Sequence, residues 1–221
     1  MTRHFEREME RIKKKVLTLS AMVEDSVYLA VKAIETRDSV LGERVREMDH
    51  EIDDMEVEVE EECLKILALH QPVAIDLRFI VAVLKLNNDL ERIGDLAVNI
   101  ARRAKILATA QAPTDLLDFS GMAEKVKSML RNCLQALVNL DGDLARQVCA
   151  ADDEVDAMNR VMYEKIHQSI RANPEQSALY LQLFSVSRNL ERIADHATNI
   201  AEDVLYMIQG EIVRHGKGMM V

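Results

Sequence analysis

The sequence contains no tryptophan, and helix-breaking residues are scarce. There are 3 prolines, 7 glycines and 4% aromatic residues in 221 positions. So few prolines and glycines leave room for long helices, because these two residues destabilise helix interiors most. Charged residues make up 30% of the chain, and the 48% apolar share is sufficient to fill a core. The composition therefore predicts an all-α protein.

Basic residues are fewer than acidic residues. The chain has 28 Lys and Arg against 38 Asp and Glu, which gives a net charge of −10. Nucleic-acid binding depends on a basic face that neutralises phosphates, so we expect no nucleic acid among the main partners. An acidic surface attracts cations or basic protein surfaces instead.

Cysteines are few, and long apolar runs are missing. Cys63, Cys133 and Cys149 are scattered without a CxxC pair, which predicts buried small hydrophobes in a reducing compartment. The first residues lack the apolar segment of a signal peptide. No apolar run approaches the roughly 20 residues of a spanning helix. We therefore expect a cytoplasmic protein that does not insert into the membrane.

One stretch of the sequence occurs twice. Residues 89–101 return as residues 189–201, with nine of thirteen residues identical at an offset of 100. A period of this length is too long for a solenoid unit, so it favours one small bundle encoded twice. The shared residues, in order, are Leu, Glu, Arg, Ile, Asp, Ala, Asn, Ile and Ala.

Apolar residues at helical spacing predict three helices in each half. Asp38 is a plausible N-cap for the second helix. The spacing alternates between three and four residues, as expected for the seam of an antiparallel bundle. Ala112-Pro113-Thr114 is the best boundary, so we predict one three-helix bundle over 1–111 and another over 112–221. The predicted helices span about 3–37, 40–69, 74–109, 117–140, 142–171 and 176–209.

Acidic residues recur at a spacing of four on the repeated helices. Glu91, Asp95 and Asn99 share one line on the third helix, roughly opposite its apolar stripe, and we expect this line to face outward. A second acidic line, on the preceding helix, starts with Asp49 and Asp53. The corresponding residues of the second half are Asp152, Asp156, Glu191, Asp195 and Asn199.

Like charges four residues apart repel one another on a helix, and a bound cation would remove that repulsion. Oxygen-only sets suit Mg, Ca, Mn or Fe, including more than one ion bridged by shared carboxylates. The alternative is a solvated face whose acids pair with nearby arginines such as Arg92 and Arg188. Arg102 and Arg103 follow the first line, whereas Glu202 and Asp203 follow the second. The second site is therefore expected to bind cations more strongly.

At these residues the chain resembles the PhoU family of phosphate-signalling proteins. The resemblance covers nearly the whole sequence, and the three stretches are specific only in combination. They are 71–79 (QPVAIDLRF), 89–95 (DLERIGD) and 189–203 (NLERIADHATNIAED).

The resemblance implies two pseudo-symmetric three-helix bundles and a negative regulator of phosphate uptake and the phosphate-starvation response. It implies an adaptor between the ATPase subunit of a phosphate ABC transporter and the PAS region of a sensor histidine kinase. Some members carry multinuclear clusters of iron or another metal, so iron, manganese, magnesium and zinc stay open. We also expect a homodimer, peripheral at the inner membrane through its partners. The ligands carried over are Asp49, Asp53, Glu91 and Asp95, then Asp152, Asp156, Glu191 and Asp195, assisted by Asn99, Asn199 and Asp203.

Two other interpretations remain. A carboxylate-bridged di-metal enzyme of the ferritin-like kind is favoured by Glu47-x-x-His50 and Glu164-x-x-His167, although the repeat places these motifs at opposite ends of their helices. A metal-free acidic scaffold would dock a basic partner. No Ser/His/Asp, Cys/His or glycine-rich phosphate-binding arrangement is visible, so we expect no enzymatic activity.

Overall fold

The computed structural model describes residues 3–109 and 118–209, and these residues form six long helices. A single 3-10 turn, Pro174–Gln176, precedes the last of them. The prediction of an all-α chain is confirmed, and every helix begins and ends within three residues of its predicted bounds. The helices are α1 (Arg3–Thr36), α2 (Ser39–His70), α3 (Ala74–Thr109), α4 (Ser120–Asn139), α5 (Gly142–Ala172) and α6 (Ser177–Gln209).

The same tight turn joins the first two helices of each half. Oδ1 of Asp38 accepts hydrogen bonds from the backbone N–H groups at the start of α2, the first at 2.8 Å. Asp141 caps α5 in the same way, with both distances 3.0 Å. The preceding residues, Arg37 and Leu140, both have φ of 54°. The N-cap predicted at Asp38 is therefore confirmed, and the repeat extends to backbone conformation.

The six helices pack as two bundles. α1, α2 and α3 contact one another in the first bundle, and α4, α5 and α6 do so in the second. α3 packs along α6, and α1 contacts α4, so the two bundles share one continuous core. The pseudo-symmetric arrangement is confirmed. The predicted boundary between 111 and 112 lies outside the described residues.

Apolar side chains lie mostly inside this core. Cys63 and Cys133 are fully buried and Cys149 is partly buried, and all three are free thiols.

Among residues 3–109 and 118–209, no helix has an apolar stretch that would let it cross a bilayer.

The contact between α3 and α6 contains one ion pair and one hydrogen-bonded histidine–aspartate pair. Nζ of Lys85 lies 2.8 Å from Oδ1 of Asp203, whose side chain is 7% exposed. Nδ1 of His196 lies 2.8 Å from Oδ1 of Asp89. Both pairs join a residue of α3 to a residue of α6, so they tie one bundle to the other.

The two bundles differ in the length of their first helix. α1 has 34 residues and α4 has 20. Their last residues, Thr36 and Asn139, are 103 positions apart, so Ser120 at the start of α4 corresponds to position 17. The first four turns of α1 therefore have no counterpart in α4.

Lys85→Met is expected to lower the free energy of unfolding by about 1 kcal/mol, because it leaves the buried carboxylate of Asp203 without this cation. It also removes the ammonium group that lies 5.4 Å from the ring centroid of Tyr206. Urea denaturation followed by circular dichroism measures the change. Lys105→Met, at an exposed position of the same helix, serves as the control, and equal effects of the two variants would contradict the prediction.

Candidate functional site

Four acids from α5 and α6 meet in the second bundle, and we call Asp152, Asp156, Glu191 and Asp195 the second-half cluster. Burial raises the pKa of Asp152 to about 6, and repulsion from Asp195 and Asp156 adds to the rise. Burial, followed by repulsion from Asp195, also raises the pKa of Glu191. Asp195 is exposed, yet partial loss of hydration beside its neighbours, followed by repulsion from Asp156, raises its pKa. The two acidic lines therefore face each other across the groove between the helices.

Two oxygens of this cluster, Oε2 of Glu191 and Oδ1 of Asp152, are buried without a partner in hydrogen-bonding geometry among the described residues. The Thr198 side chain nevertheless approaches Asp152 and opposes the rise of its pKa. Glu191 as a whole is 8% exposed, and its other oxygen accepts a hydrogen bond from Nη1 of Arg188. A buried carboxylate oxygen without a partner is costly, and a bound cation is one of the groups that can satisfy it.

The first bundle contains the equivalent set, and we call Asp49, Asp53, Glu91 and Asp95 the first-half cluster. Burial raises the pKa of Asp49, helped by repulsion from Asp53 and then Asp95. Burial also raises the pKa of Glu91, although the positive charge of Arg92 opposes the rise. α2 and α3 therefore place these acids together as α5 and α6 do in the second bundle.

Arginine neutralises the two clusters to different extents. In the first bundle Arg92 pairs with both acids of α3, at 3.3 Å from Oε2 of Glu91 and 3.2 Å from Oδ2 of Asp95. In the second bundle Arg188 pairs with Glu191. Arg103 donates a hydrogen bond to the backbone carbonyl of Asn99. Close ion pairs thus involve two acids of the first-half cluster and one acid of the second-half cluster, although Arg188 and Arg192 also favour the charged form of Asp195.

Oxygen donors of this kind match hard divalent cations. Within the described residues, however, no three carboxylate oxygens of either cluster lie within 4.8 Å of one another. The side chains would therefore have to rotate inward to share an ion. The donor set and the unpartnered oxygens of the second-half cluster therefore fit a metal, after such a rotation.

The prediction that the acidic line faces outward is wrong at Glu191, which is buried. The reason is that α6 is covered by α3, α4 and α5 together, so little of its circumference reaches solvent. Asp195 and Asn199, further along the same line, are exposed.

Asp203 is placed differently from the other predicted ligands. Its carboxylate accepts from Lys85 of α3, on the side of α6 that contacts the first bundle. Glu202 instead faces α5, since it helps burial to raise the pKa of Cys149 to about 11. Glu202 is therefore better placed than Asp203 to extend the second-half cluster. Helical wheels of α5 and α6 drawn side by side would have indicated this placement, because Cys149 and Asp152 lie about one turn apart on α5.

Sequence reasoning missed contacts that other helices make with these residues. Glu56 continues the acidic line of α2 that starts with Asp49 and Asp53, and its repulsion helps to raise the pKa of Glu91. Its Oε1 accepts a hydrogen bond from Nδ2 of Asn87 on α3 at 3.1 Å. His196 is partly buried against Asp89. Their partners come from other helices, so spacing along one helix gives no signal for them.

Comparison with known proteins agrees with this architecture. The profile of the PhoU domain family matches residues 16–104 and 119–204, which fall in the two bundles. The phosphate-specific transport system accessory protein PhoU homolog of Pseudomonas putida is 37% identical over 216 residues, covering 97% of this chain and 84% of that protein. PhoU homolog 1 of Thermotoga maritima is 34% identical over 209 residues, covering 94% and 90%.

Two crystal structures show the same fold. PhoU from Pseudomonas aeruginosa superimposes with a TM-score of 0.88 at 36% identity, covering 94% of this chain and 100% of that chain. The phosphate transport system regulatory protein PhoU from Streptococcus pneumoniae gives a TM-score of 0.86 at 27% identity, covering 96% and 100%. Profile, relatives and fold agree over both halves, and the chain therefore belongs to the PhoU family.

Proposed function

We propose that this protein is a negative regulator of phosphate uptake and of the phosphate-starvation response. It acts as an adaptor between the ATPase subunit of a phosphate ABC transporter and the PAS region of a sensor histidine kinase. The observation that supports this most is the extent of the likeness: relatives named as accessory proteins of phosphate-specific transport match 97% of the chain. The role requires binding surfaces and no catalytic step.

The two carboxylate clusters are proposed to bind metal ions within this role. The unpartnered oxygens of Glu191 and Asp152 support metal binding in the second bundle. A bound cation would neutralise the acids of α5 and α6 and hold the two helices together. Its identity among iron, manganese, magnesium and zinc is a matter for measurement.

The adaptor is further proposed to be cytoplasmic, to reach the inner membrane only through its partners, and to work as a homodimer. A net charge of −10 favours partners that present basic surfaces. Analytical ultracentrifugation tests the dimer, which would sediment with twice the 25.1 kDa of one chain.

Deleting the gene is expected to leave phosphate uptake and alkaline phosphatase active in phosphate-rich medium, because the transporter and the kinase would no longer receive the repressing signal. Alkaline phosphatase activity and uptake of labelled phosphate are the measurements. A plasmid that carries the intact gene should restore repression. Normal repression in the deletion strain would contradict the proposed function.

One observation favours a metal-free acidic scaffold as a second candidate. Arg92 and Arg188 already neutralise part of each cluster without any ion. Elemental analysis of protein purified without added metal distinguishes the two, since a scaffold would contain no stoichiometric metal. The di-metal enzyme has less support, because Glu47 and His50 lie near the start of α2 and His167 lies near the end of α5, in different bundles.

A further inference from the structure

A group of metal-binding side chains lies at the opposite end of α2 from the first-half cluster. His4 and Glu8 are four residues apart near the start of α1, so they project from the same side of that helix. His70 is the last residue of α2. Seventeen residues of helix separate it from Asp53, a distance of about 25 Å. The group is therefore distinct from the carboxylate clusters.

The three side chains converge on one point. Nε2 of His70 lies 2.5 Å from Oε2 of Glu8, and Nε2 of His4 lies 3.4 Å from Oε1 of the same carboxylate. One donor atom from each residue lies within 4.8 Å of the other two, and within the described chain no other set of three histidine, cysteine or acidic side chains converges this closely.

Glu8 and His70 are held in place by packing. The side chain of Glu8 is 8% exposed and that of His70 is 18% exposed. The ring of Phe5 lies against His70, with centroids 5.2 Å apart. The group thus offers one carboxylate and two imidazoles as donors.

We propose that His4, Glu8 and His70 bind a zinc ion. Two histidines and one glutamate form a common three-residue zinc set, with a water in the fourth position. Bonds of 2.0–2.2 Å at tetrahedral angles place neighbouring donor atoms about 3.3 Å apart. In the structure the two imidazoles contact different oxygens of Glu8. One donor atom from each of the three residues lies within 4.8 Å of the other two, so small side-chain rotations would bring the three donors to this spacing.

The surroundings contain one competing cation. Nζ of Lys65 lies 3.7 Å from Oε1 of Glu8, but its side chain is 50% exposed and can turn into solvent when zinc enters. The carboxyl end of α2 favours a cation, because the last carbonyls of a helix carry partial negative charge. Glu62, about two helical turns before His70, is paired with Arg11 at 3.5 Å.

Zinc at this position would join the first turn of α1 to the last turn of α2. This part of α1 is the extension that α4 lacks. The position that corresponds to His70 in the second bundle is Asn173, which donates to Tyr180 at 3.4 Å. The zinc site would therefore belong to the first bundle alone.

The test is titration of the full-length, untagged, chelator-treated protein with zinc by isothermal calorimetry. His4→Ala and His70→Gln are each expected to weaken this zinc site by more than about tenfold. Asp152→Asn/Glu191→Gln should keep it, since it lies in the other bundle. His167→Ala, at an exposed histidine of α5, is the matched control and should bind as the wild type does.

If His70→Gln unfolds the chain, His4→Ala still tests the site. The side chain of His4 is 73% exposed, so its removal should leave the fold intact. Substitution with cobalt provides a second readout, since tetrahedral coordination gives visible absorption that His4→Ala should remove. Zinc affinity in His4→Ala equal to that of the wild type would overturn the proposal. Loss of the site in Asp152→Asn/Glu191→Gln but not in His4→Ala would overturn it as well.

Discussion

The double variant Asp152→Asn/Glu191→Gln is expected to lose manganese binding in the second bundle, with an affinity reduced by more than about a hundredfold. Substitutions that only support a metal ligand cost about tenfold to a hundredfold, and this variant removes two proposed ligands directly. It also replaces the two carboxylates whose buried oxygens have no partner among the described residues. Electron paramagnetic resonance of free Mn²⁺ during titration measures the binding.

A matched control removes the same two negative charges without touching the cluster. Glu154→Gln/Glu164→Gln changes exposed positions of α5 and should leave manganese affinity within about threefold of the wild type, because exposed charges are strongly screened. Equal losses in both double variants would show that only general electrostatic attraction is at work. Unchanged binding in Asp152→Asn/Glu191→Gln would remove the second-half cluster as a metal site.

The equivalent variant of the first bundle, Asp49→Asn/Glu91→Gln, should have a smaller effect on total manganese binding. Arg92 pairs there with both acids of α3, so less negative charge is available to a cation than in the second bundle. This ranking agrees with the sequence-based expectation that the second site is stronger. Arg92 supplies the close ion pairs, and Arg102, one of the two arginines from which the expectation came, adds an attraction to Asp49.

In EDTA at pH 7.5, Asp152→Asn is expected to raise the free energy of unfolding by about 2 kcal/mol, which corresponds to about 4–8 °C in Tm. The pKa of Asp152 in the folded wild-type protein is about 6 against an ordinary value of 3.8. Keeping this carboxylate charged therefore costs stability. Solvent screening of the partly exposed side chain holds the gain below the value that the full pKa difference would give.

The direction of the pH dependence follows from the raised pKa. Because the folded state binds the proton more tightly, the stabilisation by protonation is complete below the ordinary pKa of 3.8 and is lost as the pH rises through about 6. The advantage of Asp152→Asn should accordingly be largest above pH 7 and shrink steadily towards pH 4. Asp54→Asn, at an exposed position of α2, should show no such trend. A pH-independent difference for Asp152→Asn would contradict the prediction.

Helix bounds were predictable from the sequence because local chemistry sets them. Asp38 and Asp141 cap their helices with their own carboxylates, and breaks near Pro72 and Pro174 mark the turns. The repeat predicted that both halves fold alike, with acids at equivalent positions on the second and third helices of each half. The acids that share a cluster were identified for this reason.

Contacts between distant segments could not be predicted. His70 and Glu8 are 62 residues apart, and His196 and Asp89 are 107 apart. Their proximity depends on the register in which long helices pack, and an error of one turn would shift every such pair by about 5.4 Å. The same limitation explains why Glu191 was expected to face solvent: helical periodicity gives the apolar face but not the number of neighbours.

The Lys85–Asp203 ion pair between α3 and α6 makes the halves of this chain non-interchangeable. At the offset of 100, Lys85 corresponds to Ser185 and Arg103 to Asp203, so the two copies of the repeat do not carry the same charges. A protein assembled from two first halves would oppose Lys85 with arginine, and one assembled from two second halves would oppose Asp203 with serine. The two halves are therefore complementary, and exchanging one for the other would lose the attraction that joins them.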